Sequence, residues 1–153
     1  MPRFMAKPRV FLDSSVLIAA VLSPIGGSLY ALRNFHSFVS FQTNDYVLEE
    51  VERILKSKFS RQPRLRTDLF LLLGITSIEV MPNPPKQQVV AAQKWISRND
   101  APILASALSA SDYLVTLDNE FFKSEIVSLA DQENQRLIIV KPKEFIEKMR
   151  DIQ

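Results

Sequence analysis

The chain has 153 residues, of which 46% are hydrophobic and 24% charged, with a net charge of +2 and a pI of about 9.0. This length predicts one compact domain over residues 1–153, with its core at about 9–149. The absence of cysteine excludes disulfides and thiolate metal sites and favours the cytoplasm. No signal peptide is predicted, because the N-terminus "MPRFMAKPRV" has no long apolar core, and the run "VFLDSSVLIAAVL" is too short for a membrane span and contains Asp13.

Two kinds of segment alternate along the chain. Short runs rich in β-branched and aromatic residues predict strands at 10–12, 38–41, 78–81, 113–117 and 137–140. Stretches with helical spacing lie between and after them, at about 14–34, 45–73, 86–109, 119–133 and 142–150. The alternation predicts an α/β fold in three layers, with a parallel sheet between two layers of helices.

The first and fourth predicted strands each end in an aspartate, Asp13 in "VFLD" and Asp118 in "LVTLD". Parallel sheets bind ligands outside the carboxyl ends of their strands. If these strands are neighbours, about 4.8 Å apart, the two carboxylates repel each other unless a cation or a shared proton intervenes. Oxygen ligands without cysteine favour Mg²⁺ or Mn²⁺. The alternative is that each aspartate only caps the following helix.

The predicted helix at 45–59 supplies a third candidate acid. Glu49 faces away from the apolar stripe, whereas Glu50 and Glu52 border it on opposite sides. Glu50 can therefore lean over the edge of the sheet. The alternative is that all three acids are solvated. The stripe consists of Val47, Leu48, Val51, Ile54, Leu55 and Phe59.

The segment "NDAPILASAL" opens another helix and supplies a fourth candidate, Asp100. Pro102 suits the first turn of a helix, where its missing N–H costs nothing. Asp100 precedes the buried residues Ile103 and Leu104 by three and four positions, so it projects from the start of their face. The alternative is an N-cap, a task that Asn99 can also perform.

Other polar residues near the aspartates are candidates for an outer shell. Thr116 shares the strand face of Asp118, Glu120 follows two positions later, and Ser15 lies at a helix start where capping is the alternative role. Asp112 begins the strand that Asp118 ends, roughly 20 Å away, and is interpreted as a turn residue.

A basic stretch follows Glu50. Residues 53–66, "RILKSKFSRQPRLR", hold six Lys or Arg and no acid. Four of these cations are candidate contacts for a nucleic-acid backbone: Arg53, Lys56, Lys58 and Arg61. An ordinary solvated surface is an equally good interpretation.

The four acidic segments, in the order "FLDSSVL", "VLEEVERIL", "NDAPILASAL" and "DYLVTLDNEFF", resemble the PIN domain, the nuclease fold of VapC-type toxins. The resemblance extends from about residue 9 to 149. It assigns the four acids of the family to Asp13, Glu50, Asp100 and Asp118. Ser15 stands where many members carry Asn, Leu117 where Gly or Arg is frequent, and Glu120 where Asp is often found. These departures leave the four acids intact.

The resemblance implies a central five-stranded parallel sheet, one or two Mg²⁺ or Mn²⁺ ions, and hydrolysis of phosphodiester bonds, usually in single-stranded RNA. It also implies a homodimer and, in some members, a small antitoxin protein as partner. The hypothesis is that the four acids hold the cation and that the cation activates water.

Three alternatives lead to other functions. A PIN scaffold without activity would bind RNA or a protein and cut nothing. A phosphotransfer protein would use Asp13 or Asp118 as acceptor, but "FLDSS" lacks the second acid usual after the first strand of such folds. A Ser/His/Asp triad would depend on His36, the only histidine, which precedes a predicted strand.

Overall fold

The computed structural model describes residues 6–132 and 136–152 and contains five strands in that part of the chain. They are β1 (Arg9–Leu12), β2 (Ser40–Asn44), β3 (Glu79–Met81), β4 (Tyr113–Val115) and β5 (Ile138–Val140). All are parallel, in the order β3-β2-β1-β4-β5. The predicted five-stranded parallel sheet is therefore confirmed, and β1 and β4, which deliver Asp13 and Asp118, are direct neighbours.

Eight α-helices connect and flank these strands within the described residues. They are α1 (Ser14–Leu22), α2 (Gly27–Phe35), α3 (Asp45–Lys58), α4 (Arg64–Ile75), α5 (Lys86–Ala92), α6 (Ala101–Ala110), α7 (Ser124–Ala130) and α8 (Pro142–Ile152). A short 3-10 helix, Asn119–Phe122, precedes α7. Because parallel crossovers are right-handed, the helices that follow β1 and β2 lie on one face of the sheet and those that follow β3 and β4 lie on the other. This is the predicted three-layer α/β/α fold.

The predicted helical stretches were too long in three places. The stretch at 14–34 is two helices, α1 and α2, bent by 97° where "SPIGG" interrupts the pattern. The stretch at 45–73 breaks before Pro63, and that at 86–109 breaks between α5 and α6. In the described residues no single helix is long and apolar enough to cross a membrane; only the bent pair α1 and α2 together has that length and composition.

The strand boundaries differ from the sequence prediction by one to three residues. The second strand begins two residues later than predicted and continues to Asn44, because it pairs with β3 through Asn44 and Met81. The strand predicted at 113–117 ends at Val115, although the N–H of Thr116 still bonds to the carbonyl of Val140 at 3.1 Å. The predicted stretch 119–133 is the 3-10 helix and α7, and its last residue lies outside the described residues.

β1 lies at the centre of the sheet and of the hydrophobic core. Val10, Phe11 and Leu12 are at most 1% exposed, as expected for a central parallel strand covered on both faces. The chain reverses its direction of sheet building between β1 and β4, since β2 and β3 lie on one side and β5 on the other. Such a switch point opens a crevice at the carboxyl ends of the two strands. Asp13 follows β1 at this crevice.

Candidate functional site

Asp13 follows β1 at the switch point of the sheet and is only 3% exposed. It caps α1 by accepting from the N–H of Ser14 at 2.7 Å, so the predicted capping role is present. Its carboxylate also accepts from the hydroxyls of Thr116 at 2.6 Å, Ser15 at 2.8 Å and Ser14 at 3.3 Å. Burial raises the pKa of Asp13, these hydrogen bonds oppose the rise, and the charge of Asp118 adds to it. Asp13 can therefore cap α1 and belong to the acidic cluster at the same time.

Asp118 stands beside Asp13 at the end of the neighbouring strand. Thr116 connects the two, since its hydroxyl donates to Asp13 and accepts from the N–H of Asp118 at 3.0 Å. Ser15 makes a parallel link, accepting from the N–H of Leu117 at 3.0 Å while it donates to Asp13. The Asp118 carboxylate accepts from the N–H of Glu120 at 3.0 Å and so caps the 3-10 helix.

Glu50 reaches the same cluster from α3. Its carboxylate accepts from the hydroxyl of Ser14, whose other contact is Asp13. Ser14 thus bridges the first and second acids, which are 37 positions apart in the sequence. Arg53, one turn later on α3, lies 3.9 Å from the other carboxylate oxygen of Glu50. The side chain of Glu50 is 18% exposed, which agrees with a position at the border of the apolar stripe.

Asp100 precedes α6 and has no capping hydrogen bond from its side chain. Its carboxylate instead accepts from the hydroxyl of Ser97 at 3.0 Å. The pKa of Asp100 is raised to about 6, mainly by burial; the Ser97 bond opposes the rise, and the charges of Asp118, Asp13 and Glu50 add to it. The other three predicted acids therefore lie within electrostatic range of Asp100.

The predicted outer-shell residues divide into two groups. Ser15 and Thr116 contact Asp13 directly. The side chain of Glu120 is half-exposed and pairs with Lys123 at 3.1 Å. Asp112 lies at the opposite end of β4, where it accepts from the N–H of Arg9 at 2.8 Å, in keeping with its interpretation as a turn residue.

Four further residues support the acids but do not stand out in the sequence. Ser14 and Ser97 donate to acids, and their only sequence signal is proximity to Asp13 and Asp100. Tyr46, in the first turn of α3, donates from its hydroxyl to the carbonyl of Asn99, the residue before Asp100; burial raises the pKa of Tyr46, and Glu50 and Asp100 add to the rise. Asn44 caps α3 by accepting from the N–H of Val47 at 2.9 Å, a role that its place before a helical stretch could have suggested.

The donor set has the chemistry of a site for a hard cation, because it combines carboxylate and hydroxyl oxygens with no nitrogen or sulfur. Within residues 6–132 and 136–152, however, no three Asp, Glu or His side chains are already arranged to hold a metal ion. Hydrogen bonds from neighbouring hydroxyls hold the acids at one edge of the sheet, but the acids do not enclose a cation position. Burial is the main cause of the raised pKa of Asp100, and the charges of the other three acids, which a cation would offset, add to it.

The basic stretch begins beside Glu50 and continues away from it. Lys56, Lys58 and Arg61 are exposed, and they take part in none of the salt bridges formed among the described residues. Arg64 and Arg66 pair instead with Asp68 at 3.8 Å and Glu52 at 3.0 Å. His36 lies at the C-terminal end of α2, before β2 rather than after it.

Comparison with known proteins identifies the fold and the family. The structure is similar to the VapBC2 structure from Rickettsia felis bound to a DNA fragment from their promoter, with a TM-score of 0.64 and 17% identity over 87% of this chain and 98% of that one. It is also similar to PAE2754 from Pyrobaculum aerophilum, with a TM-score of 0.63 and 19% identity over 97% and 94% of the two chains. The comparison with curated proteins finds no match.

The sequence itself matches the PIN domain over residues 9–120, a range that begins with β1 and ends two residues after Asp118. All four candidate acids lie inside the matched range. The predicted resemblance is thereby confirmed: the chain belongs to the PIN domain family.

Proposed function

We propose that this protein is an endoribonuclease that hydrolyses phosphodiester bonds of single-stranded RNA with the help of Mg²⁺ or Mn²⁺. One observation carries the proposal. Four acids from four separate segments meet at the switch point of the sheet: Ser14 bridges Asp13 and Glu50, Thr116 joins Asp13 to the backbone of Asp118, and the charges of these three acids act on Asp100. A structural role for four carboxylates so close together is costly, because like charges destabilise one another in a partly buried site.

The cation would be held by the carboxylates of Asp13, Glu50, Asp100 and Asp118. When bound, Mg²⁺ or Mn²⁺ lowers the pKa of a water ligand and neutralises the charge that develops on the phosphate. Without it, the four carboxylates would repel a phosphodiester. Cation dependence is therefore a requirement of this arrangement.

The protein contributes orientation. Hydrogen bonds from Ser14, Ser15 and Thr116 leave the Asp13 carboxylate little freedom to rotate. Ser14 fixes Glu50 relative to Asp13, and Ser97 fixes Asp100. Groups held in this way do not have to be ordered when cation and substrate arrive, which is the main advantage of a preorganised site.

The direct test is hydrolysis of a labelled single-stranded RNA in Mg²⁺, Mn²⁺ or EDTA. Duplex RNA and single-stranded DNA of the same sequence serve as matched substrates. We expect cleavage of the single-stranded RNA in either cation and none in EDTA. Equal cleavage with EDTA would refute the mechanism, and preference for DNA would refute the substrate class.

The exposed cations Lys56, Lys58 and Arg61 would guide the RNA backbone towards Glu50. Each single-strand phosphate contact contributes about 0.7 to the slope of log affinity against log salt. Replacing all three by alanine should therefore lower that slope by about 2, measured by RNA binding at several salt concentrations. An unchanged slope would assign these residues to an ordinary solvated surface.

We also propose that the protein is the toxin component of a toxin–antitoxin pair, with a small antitoxin as partner, and that it forms a homodimer. The similarity to the VapBC2 structure supports the pairing, although at 17% identity it concerns the fold. A small open reading frame on the same transcript, whose product copurifies with this chain and suppresses RNA cleavage, would meet the expectation. Light scattering of the purified chain tests the dimer.

The alternative is a PIN scaffold that binds RNA or a protein without cutting. Calorimetric titration with Mn²⁺ separates the two functions before any substrate is known. A nuclease should bind Mn²⁺ saturably and lose this binding in Asp13→Asn, whereas a scaffold has no need to bind Mn²⁺.

A further inference from the structure

The first turn of α3 is tied to the start of α6 by two side chains. The hydroxyl of Tyr46 donates to the backbone carbonyl of Asn99 at 2.7 Å. The amide of Asn44 donates to the hydroxyl of Ser106 at 2.8 Å and approaches the carbonyl of Pro102 at 3.5 Å. These bonds join residues 53 to 62 positions apart. They connect the two elements that carry the second and third acids.

Tyr46 is placed to act on both acids. It lies four residues before Glu50, one turn earlier on the same helix, and its hydroxyl contacts the residue that directly precedes Asp100. Its own N–H donates to the side chain of Asn83 at 2.8 Å, so the residue is anchored at its backbone as well. A hydroxyl on an anchored residue defines a fixed distance between α3 and the segment before α6.

The segment that Tyr46 holds contains no helix or strand. It runs from residue 93 to 100, and Ser97, Arg98 and Asn99 are exposed. Its last four residues form a turn in which the N–H groups of Asp100 and Ala101 donate to the carbonyl of Ser97 at 3.1 and 3.0 Å. Exposed turns held by local hydrogen bonds open most easily. A long-range bond to Asn99 restrains the turn as a unit.

That turn also carries the donor to the Asp100 carboxylate, Ser97. If the turn shifts, the acid and its donor move together, and their mutual hydrogen bond does not prevent the displacement. Only a contact outside the turn can fix Asp100 relative to Glu50. Tyr46 supplies such a contact.

We propose that Tyr46 is a positioning residue for Asp100: its hydroxyl holds the turn 97–100 against α3 and so sets the place of the Asp100 carboxylate beside Glu50. The inference rests on the proposed function insofar as Asp100 holds a cation. Tyr46 itself contacts neither cation nor substrate in this role. Asn44 makes a second, buried contact between the start of α3 and α6 through its hydrogen bond to Ser106.

Tyr46→Phe isolates the hydroxyl, because the ring packs against the hydrophobic core and phenylalanine retains that packing. Tyr30→Phe is a matched control. Its hydroxyl also makes a hydrogen bond, accepting from Arg150 at 2.9 Å, but joins α2 to α8. Each variant therefore loses one tyrosine hydroxyl and one hydrogen bond.

The first measurement uses the metal-free protein. Amide hydrogen exchange at Asp100 and Ala101 should accelerate about fivefold in Tyr46→Phe, the factor that corresponds to one ordinary hydrogen bond. Exchange in β1 and β4 should not change. In the Tyr30→Phe control, exchange at residues 97–101 should equal that of the wild type.

The second measurement is calorimetric titration with Mn²⁺, in which Tyr46→Phe should weaken binding about fivefold and Tyr30→Phe should not. Unchanged exchange at Asp100 and Ala101 overturns the proposal. Faster exchange with unchanged Mn²⁺ affinity overturns it too, because the turn would then open more easily without any effect on cation binding by Asp100. If the wild type binds no Mn²⁺, the proposed function fails, and the exchange data alone decide whether Tyr46 holds the turn.

Discussion

The two ends of the β1–β4 pair carry the same residue type in opposite environments. At the amino end, Asp112 is half-exposed and has a cation, Arg9, at 3.7 Å. At the carboxyl end, Asp13 is 3% exposed and receives only neutral donors, while its charged neighbours Asp118, Glu50 and Asp100 are all negative. Both aspartates also accept a hydrogen bond from a backbone N–H.

This contrast separates a structural acid from a candidate ligand. A structural carboxylate is stabilised by the charge of its own protein, whereas a buried acid surrounded by other acids depends on a cation or a proton from outside. The backbone contact is common to both ends and therefore carries no functional information. What distinguishes them is the sign of the surrounding charge.

The largest expected effect is that of Asp13→Asn. Losing a residue that orients a metal ligand typically lowers metal affinity or activity 10- to 100-fold, so losing the ligand itself should lower RNA cleavage by at least about 100-fold. Asp112→Asn makes the same change at the amino end, and we expect little change in rate. Initial rates on one RNA substrate at saturating Mn²⁺ provide the measurement.

Comparable losses in the two variants would mean that the substitution acts through β1 and β4 as a folding unit, and the contrast between their ends would disappear. Thermal unfolding of both variants shows whether either substitution destabilises the fold. Retention of full activity by Asp13→Asn would remove Asp13 from the site altogether.

The next effect concerns Thr116, which joins the two strand ends. Thr116→Val removes the donor to Asp13 and the acceptor of the Asp118 N–H, so we expect Mn²⁺ affinity to fall about 10-fold or more. Calorimetric titration measures this change. Thr43→Val is the control, because Thr43 is equally buried in the sheet but donates to the backbone carbonyl of Leu12. Equal affinities in the two variants would contradict a role for Thr116 in holding the acids.

The fold and the four acids could be predicted from the sequence because their signals are local. A run of buried apolar residues that ends in an acid is visible at Asp13 and at Asp118, and the helical stripe that places Glu50 spans only a few turns. Because β1 and β4 are neighbours in the parallel sheet, the acids that follow these two strands lie close together.

Ser15 and Thr116 could be predicted from their closeness to the strand acids, but the contacts of Ser14 with Glu50 and of Tyr46 with Asn99 could not, because they depend on how helices pack. Ser14 meets Glu50 only since α3 lies over the start of α1, and the Tyr46 hydroxyl meets Asn99 across 53 positions of sequence. Helical spacing indicates which face of a helix is buried but not which neighbour it faces. For the same reason, the breaks at 23–26 and 93–100 were absorbed into longer helical stretches.

A smaller effect is expected on the pH dependence of stability. The pKa of Asp100 is raised from 3.8 to about 6, so its contribution to stability is fully present below about pH 4 and is lost as pH rises through about 6. In EDTA, raising the pH from 4 to 7 should therefore lower the unfolding temperature of Asp100→Asn by a few degrees less than that of the wild type. Thermal unfolding across this range measures the difference.

Asp112→Asn again supplies the comparison and should keep the wild-type pH profile through pH 6. If the Asp100→Asn profile matches that of the wild type, burial and the neighbouring acids do not raise the pKa of Asp100 as the structure indicates. The same result would weaken the argument for a cation.

The smallest effect is expected from Arg9→Ala, which leaves Asp112 without its cation. Both side chains of this pair are half-exposed, and exposed ion pairs contribute only about 0.2–1 kcal/mol. The backbone N–H of residue 9 would still donate to Asp112, so the unfolding temperature should fall by no more than about 4 °C. Mn²⁺ affinity should be unchanged, because the pair lies one strand length away from Asp13. A loss of affinity after Arg9→Ala would show that the two ends are coupled, and the sign of the surrounding charge would no longer suffice to tell a structural acid from a ligand.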